Sequence, residues 1–138
     1  MRQAALLVLL AAAGRAEQPC PFLNAATAAG ILGGEVESRI HGDICLFSFE
    51  SSQLRIEVQT VSLPYKLDCG PNAKPLKAIG NEALSCSLHG NNGRMIEQIV
   101  GRVRERAFFI RLTSNENARD ALRDKARLVA EQVVGILF

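Results

Sequence analysis

The residues with the clearest chemical potential are four cysteines, Cys20, Cys45, Cys69 and Cys86. Their spacings of 25, 24 and 17 residues include no C-x-x-C pair, which argues against a zinc site and against thioredoxin-like chemistry, because both need close thiols. An even cysteine count is typical of two disulfides when a small chain is exported. Three pairings are open. We prefer the sequential one, Cys20 with Cys45 and Cys69 with Cys86, because it ties the first predicted helix to the sheet and a long loop to a strand.

Arginine is the second residue type that could do chemistry, because basic residues are concentrated in one segment of the chain. Residues 94–127 hold nine basic and five acidic side chains, a charge of +4, and the other residues of the range 17–138 carry a charge of −4. Guanidinium forks suit carboxylates and phosphates, so Arg102, Arg104 and Arg106, around a predicted hairpin turn, are candidate binding residues. Along residues 119–127, basic and acidic residues at helical spacing are instead typical of an ion-paired, solvated helix face.

A long central loop, residues 62–81, is the other candidate binding element. It contains three prolines and two glycines, and binding residues often lie on long loops held by a rigid scaffold. Tyr65, the only tyrosine in the sequence, and Lys66 are its candidate binding residues. The alternative is that Cys69 staples a crossover without further function.

Linear motifs for catalysis are missing from the sequence. It has no G-x-S-x-G, no H-E-x-x-H and no glycine-rich phosphate loop, and His41 and His89 lie beside turn glycines rather than in a ligand pattern. We therefore expect a protein that is not an enzyme and that uses no metal and no cofactor. An active site assembled in space from distant residues stays open as an alternative.

The first sixteen residues have the layout of a secretory signal peptide. Arg2 precedes an apolar run over residues 4–13, and small residues up to Ala16 fit a cleavage site after that residue. The run is shorter than the roughly 20 residues that cross a membrane, although an uncleaved anchor stays open. Glu17 to Pro19, directly before Cys20, do not fit a lipidation motif, so we expect no lipid on that cysteine.

The mature chain, residues 17–138, is long enough for one domain with its own core. Without the two arginines of the signal segment it carries fourteen basic and fourteen acidic side chains. A formal charge of zero does not favour nucleic acid or anionic membranes as partners, since those contacts need surplus positive charge. The predicted location is the periplasm or the extracellular medium.

Hydrophobic periodicity predicts an α+β chain. Asn24 caps a helix over residues 25–32, which Gly33 stops. Alternating apolar residues, typical of strands with one solvated face, occupy residues 36–40, 45–49, 54–58, 83–88, 94–103 and 107–113. Gly101 is a plausible bulge, and a short helix is possible from Pro75.

The last predicted element is an amphipathic helix from about Glu116 to Leu137, which begins in a capping box or at Asn117. Its predicted inward face is Ala118, Leu122, Ala126, Val129, Val133 and Ile136. The result is a single antiparallel sheet of about five to six strands, with an N-terminal and a C-terminal helix on one face.

Several segments together carry a resemblance to known proteins: a cysteine near the mature start, "AAGILGG", "ICLFSF", "KAIGNEALSC" and the terminal helix. This order resembles small exported bacterial domains, namely actinobacterial lipoproteins of unknown function and extracellular sensor domains of receptor kinases. The resemblance implies a disulfide-bonded, PsbP-like α+β sandwich with a groove for a ligand or partner. The sequence departs from both groups, since it has no lipidation motif before Cys20 and no kinase or transmembrane portion. Only the cysteines are carried over.

These observations predict a non-catalytic module that binds a small ligand or an envelope protein. The alternatives are an envelope accessory protein without a pocket and an enzyme without a linear motif. An apolar cavity of about 300 Å³ or more between the sheet and the central loop would distinguish the first two classes.

Overall fold

The computed structural model describes residues 18–115 and 118–138. The predicted signal peptide, with its cleavage site, and the predicted capping residues Glu116 and Asn117 lie outside this part of the chain. The described elements are α1 (Ala25–Leu32), β1 (Glu37–His41), β2 (Ile44–Phe49), β3 (Ser52–Thr60), β4 (Lys74–Pro75), β5 (Glu82–His89), a 3₁₀ turn at Asn91–Gly93, β6 (Met95–Val103), β7 (Arg106–Ser114) and α2 (Arg119–Leu137).

All strands of the described residues form one antiparallel sheet with the order β1-β2-β3-β7-β6-β5-β4. The predicted α+β class with an antiparallel sheet is therefore confirmed. Two sequential meanders meet at the β3–β7 pair, in which Ile56 lies opposite Ile110. The β3–β7 pairing joins residues from 46 positions apart (Thr60 and Arg106) to 60 positions apart (Gln53 and Thr113). It brings the last strand of each meander together near the centre of the sheet.

The sheet has seven strands, so the prediction of five to six was too low. The extra strand is β4, whose two residues pair with Ser85 and Leu84 of β5. The short helix predicted from Pro75 is also wrong. Ala78 and Gly80 adopt φ of 62° and 61°, in the left-handed region that a right-handed helix excludes.

Both helices pack on the same face of the sheet, here called the helix-covered face, and one apolar core joins them to it. Helix α1 begins at the Asn24 cap, whose Oδ1 accepts a hydrogen bond from the Thr27 amide at 2.7 Å. The residues of α2 that face the core are Leu122, Ala126, Val129, Ala130, Val133, Val134 and Leu137. This burial fixes the helix along β6 and β7.

The predicted inward face of α2 is correct at its centre and wrong at its ends. Ala118 is the exposed N-cap residue and makes no side-chain cap. Ile136 is 53% exposed, while Leu137 is buried. Leu137 follows Val133 by four residues, so it extends the same stripe of the helix, and Ile136 lies beside that stripe.

Gly101 is not a bulge. It pairs without interruption with Ala83 on one side and Phe108 on the other. A side chain at this position would overlap the Phe108 ring. The glycine therefore makes room for an aromatic ring of the core rather than for an extra residue.

A buried ionic cluster attaches the start of α2 to the sheet. Glu97 on β6 is 1% exposed, and its Oε1 accepts hydrogen bonds from Ser87 Oγ at 2.6 Å and Arg119 Nη1 at 3.0 Å. Arg123 Nε lies 3.7 Å from the same oxygen. Arg119 also donates to the carbonyls of Ile96 and Leu88. Arg119 is thus part of the packed structure, whereas the sequence placed it on a solvated helix face.

Candidate functional site

Two disulfides connect the chain on opposite faces of the sheet. Cys20 is bonded to Cys45 with a Cα–Cα distance of 5.8 Å, which ties the segment before α1 to β2. Cys69 is bonded to Cys86, also with a Cα–Cα distance of 5.8 Å, which ties the central loop to β5. This is the sequential pairing, and none of the four cysteines of the sequence is free.

The second disulfide holds the central loop against the face opposite the helices, here called the outer face. Cys69, Cys86 and Val100 form a small buried cluster. Leu67, Leu84 and Phe109 are partly buried against it. The first half of the loop therefore has its own apolar contacts with the sheet, whereas Ile79, near the end of the loop, belongs to the core beneath the helices.

A groove of about 440 Å³ lies between the central loop and β5. Its apolar lining residues are Leu67, Pro75, Leu76, Ala83 and Leu84, and its polar ones are Tyr65, Lys66, Asn81 and Glu82. Tyr65 is half-buried and Lys66 is exposed. The structure thus places both loop residues predicted from the sequence in one open groove, rather than in an enclosed cavity.

The ends of the central loop are fixed to the turn between β6 and β7. The Val61 amide donates to the Glu105 carbonyl at 2.7 Å, and the Asn81 amide donates to the Arg102 carbonyl at 2.8 Å. Asn81 Oδ1 in turn accepts from the Arg104 amide at 2.6 Å. The predicted arginine turn is therefore next to the groove.

The three turn arginines do not act as one cluster. Arg102 directs its guanidinium to Glu82 at 3.3 Å and to the Arg104 carbonyl at 2.7 Å, so its donors serve the local structure. The Arg104 side chain is exposed. The Arg106 guanidinium lies 5.9 Å from the centre of the Phe22 ring, on the helix-covered face. None of the three arginines is among the residues that line the groove.

The outer face also contains a cavity, open to solvent, that sequence reasoning missed. Arg55 on β3 lies directly opposite Arg111 on β7, and a cavity of about 230 Å³ is lined by Arg55, Glu57, Gln98, Phe109, Ile110 and Arg111. The alternation of apolar and polar residues in β3 identified a solvated face. That alternation does not show that β3 pairs with β7, because the two strands are far apart in the sequence.

Within residues 18–115 and 118–138 there is no group of three or more His, Cys, Asp or Glu that could hold a metal ion. Among the same residues, no helix combines the length and the apolar character that a membrane crossing requires.

Comparisons with known proteins give no assignment. No family model matches the chain, and searches of curated proteins and of solved structures found no significant similarity.

Proposed function

We propose that this chain is an exported, non-catalytic binding module, and that the groove between the central loop and β5 receives a small ligand or a short segment of a partner protein. Two intramolecular disulfides support an oxidising, exported location, because such bonds persist outside the reducing cytosol. The proposal places the mature chain, from Glu17 onward, in the periplasm or the extracellular medium.

One observation carries the binding proposal: a covalent bond holds the loop that forms one wall of the groove. Cys69 anchors this wall to Cys86, and Leu67 packs against the same cluster. A wall that is fixed before binding loses little conformational entropy when a ligand arrives, and this preorganisation favours affinity.

The lining of the groove offers both apolar and polar contacts, with five residues of the first kind and four of the second. Leu67, Leu76 and Leu84 supply apolar surface, while Lys66 and Glu82 place opposite charges at the rim. Apolar walls with a few polar groups are the usual composition of small-molecule sites. The ligand class that fits is a partly apolar group with a polar end.

A protein-observed NMR screen with a library of small fragments tests the groove. We expect the fragments that bind to shift the backbone amide signals of Leu67 and Leu84 together, because both residues line the groove. Replacing Tyr65→Ala removes the aromatic wall and is expected to weaken those fragments about tenfold, a typical loss for a buried aromatic contact.

Lysine variants provide the matched control for that screen. Lys66 lines the groove, whereas Lys74 lies exposed on β4, outside its lining. We expect Lys66→Ala to weaken fragments that carry an acidic group and Lys74→Ala to leave all affinities unchanged. Fragments that shift no groove signal, or equal effects of the two lysine variants, would contradict the groove proposal and favour an envelope protein without a binding pocket.

A further inference from the structure

The two arginines that face each other on the outer face are an unusual pair. Arg55 and Arg111 occupy directly opposite positions of β3 and β7, and both are exposed. Like charges directly opposite each other destabilise a sheet. Their position at the central strand pair therefore suggests a purpose beyond folding.

The groups around this pair neutralise it only in part. Arg55 Nη1 lies 3.0 Å from Glu57 Oε2. Arg111 Nη2 donates to Gln98 Oε1 at 3.2 Å, and this amide partner carries no charge. In the part of the chain that the structure describes, Arg111 has no acidic partner within ion-pair distance. The cluster of Arg55, Arg111 and Glu57 therefore keeps one net positive charge.

Space for a ligand exists at the same place. The cavity of about 230 Å³ has both arginines, Glu57 and Gln98 in its lining, together with Phe109. Phe109 is half-buried because the central loop covers part of the outer face. A ligand there would meet guanidinium donors and an aromatic ring at once.

We propose that this cavity binds a carboxylate with a single negative charge, carried on a small flat apolar group. The guanidinium fork of Arg111 matches the two oxygens of a carboxylate, and one negative charge neutralises the surplus of the cluster. A dianion would add its second charge beside Glu57. Phe109 supplies the apolar contact for the body of the ligand, and the volume suits a single ring. This site is separate from the groove at Tyr65.

Titration of the oxidised protein with benzoate, followed by NMR, tests the proposal. We expect the side-chain signals of Arg55, Gln98 and Arg111 to shift, with a Kd of about 1–10 mM for a ligand of this size. Benzamide, which has the same shape without the charge, and inorganic phosphate, with more charge and no ring, are both expected to bind at least about tenfold more weakly, because each lacks part of the match.

Variants connect that binding to the arginine pair. We expect Arg111→Gln to weaken benzoate about tenfold, the loss of one charge-assisted bidentate contact. The same variant should not lower the midpoint of denaturant unfolding, because it removes the repulsion between Arg55 and Arg111. Arg39→Gln is the matched control, because Arg39 is exposed on the same face with β2 between it and Arg55.

The outcomes separate this site from the groove. Unchanged benzoate affinity in Arg111→Gln, equal loss in Arg39→Gln, or equal binding of benzamide would overturn the carboxylate site. Phosphate binding more tightly than benzoate would overturn its preference for a single charge. If benzoate shifted only the NMR signals of Lys66 and Leu84, it would bind in the groove and not at the arginine pair. The carboxylate site would then be wrong, and the proposed function would be unaffected.

Discussion

Replacing Glu97→Ala is expected to lower the free energy of unfolding by about 3 kcal/mol, because a buried ion pair that loses one partner leaves uncompensated charge behind. Arg119 would keep its bonds to two carbonyls but lose its carboxylate. Ser87 Oγ would lose its acceptor. Arg119 retains 20% side-chain exposure, so water reduces the loss toward the low end of the range for buried pairs. Urea unfolding monitored by circular dichroism measures it.

Glu131→Ala is the control for this prediction. Glu131 pairs with Arg127 at 3.2 Å on the same helix, and both side chains are more than 40% exposed. An exposed pair of this kind contributes at most about 0.5 kcal/mol. If Glu97→Ala were as mild as Glu131→Ala, the buried cluster would not be what attaches α2 to the sheet.

Removal of the second disulfide by Cys69→Ala and Cys86→Ala together is expected to reduce stability by about 3 kcal/mol, the loop-closure contribution for a link of this length. The same variant should weaken groove binding about tenfold or more, because the loop wall loses its covalent anchor. Unfolding and fragment titration on the same sample measure both effects.

Removal of the first disulfide is the control, because it is expected to lower stability by a similar amount. It spans 25 residues against 17 for the second, so Cys20→Ala with Cys45→Ala should lose about the same stability. Cys45 lies on β2, which is separated from β5 by three strands, and it does not line the groove. Fragment affinity should therefore be unchanged in this variant. Equal loss of binding in both double variants would show that the groove depends on overall stability rather than on the anchored loop.

The local elements could be predicted because their signals are local. The Asn24 cap and the glycine stop gave α1 with its observed limits, and period-two alternation located the long strands. The short strand β4 could not be found this way, since two residues carry no period and its pairing depends on where the loop returns. The last residue of the inward face of α2 could not be predicted, because Ile136 and Leu137 are adjacent apolar residues and only the packing decides which of them is buried.

The sites depended on contacts between distant parts of the chain. Tyr65 and Lys66 were identified as loop residues, but the groove exists because that loop returns to β5. Arg55 and Arg111 are placed side by side only by the β3–β7 register, which the sequence does not show. Alternation along β6 places residue 97 on the face that packs against α2, where an apolar side chain is expected. Glu97 is accommodated there because Ser87 on β5 and Arg119 on α2 bind its carboxylate.

The binding proposal depends on an exported chain in which both disulfides are formed. Intact mass, measured before and after reduction with thiol alkylation on protein recovered from the envelope or medium of an expressing bacterium, tests this directly. We expect a chain that begins at Glu17, carries no lipid and takes up alkylating reagent only after reduction. A lipid on Cys20 would contradict the Cys20–Cys45 disulfide, and thiols that react without reduction would contradict a disulfide-bonded module in an oxidising location.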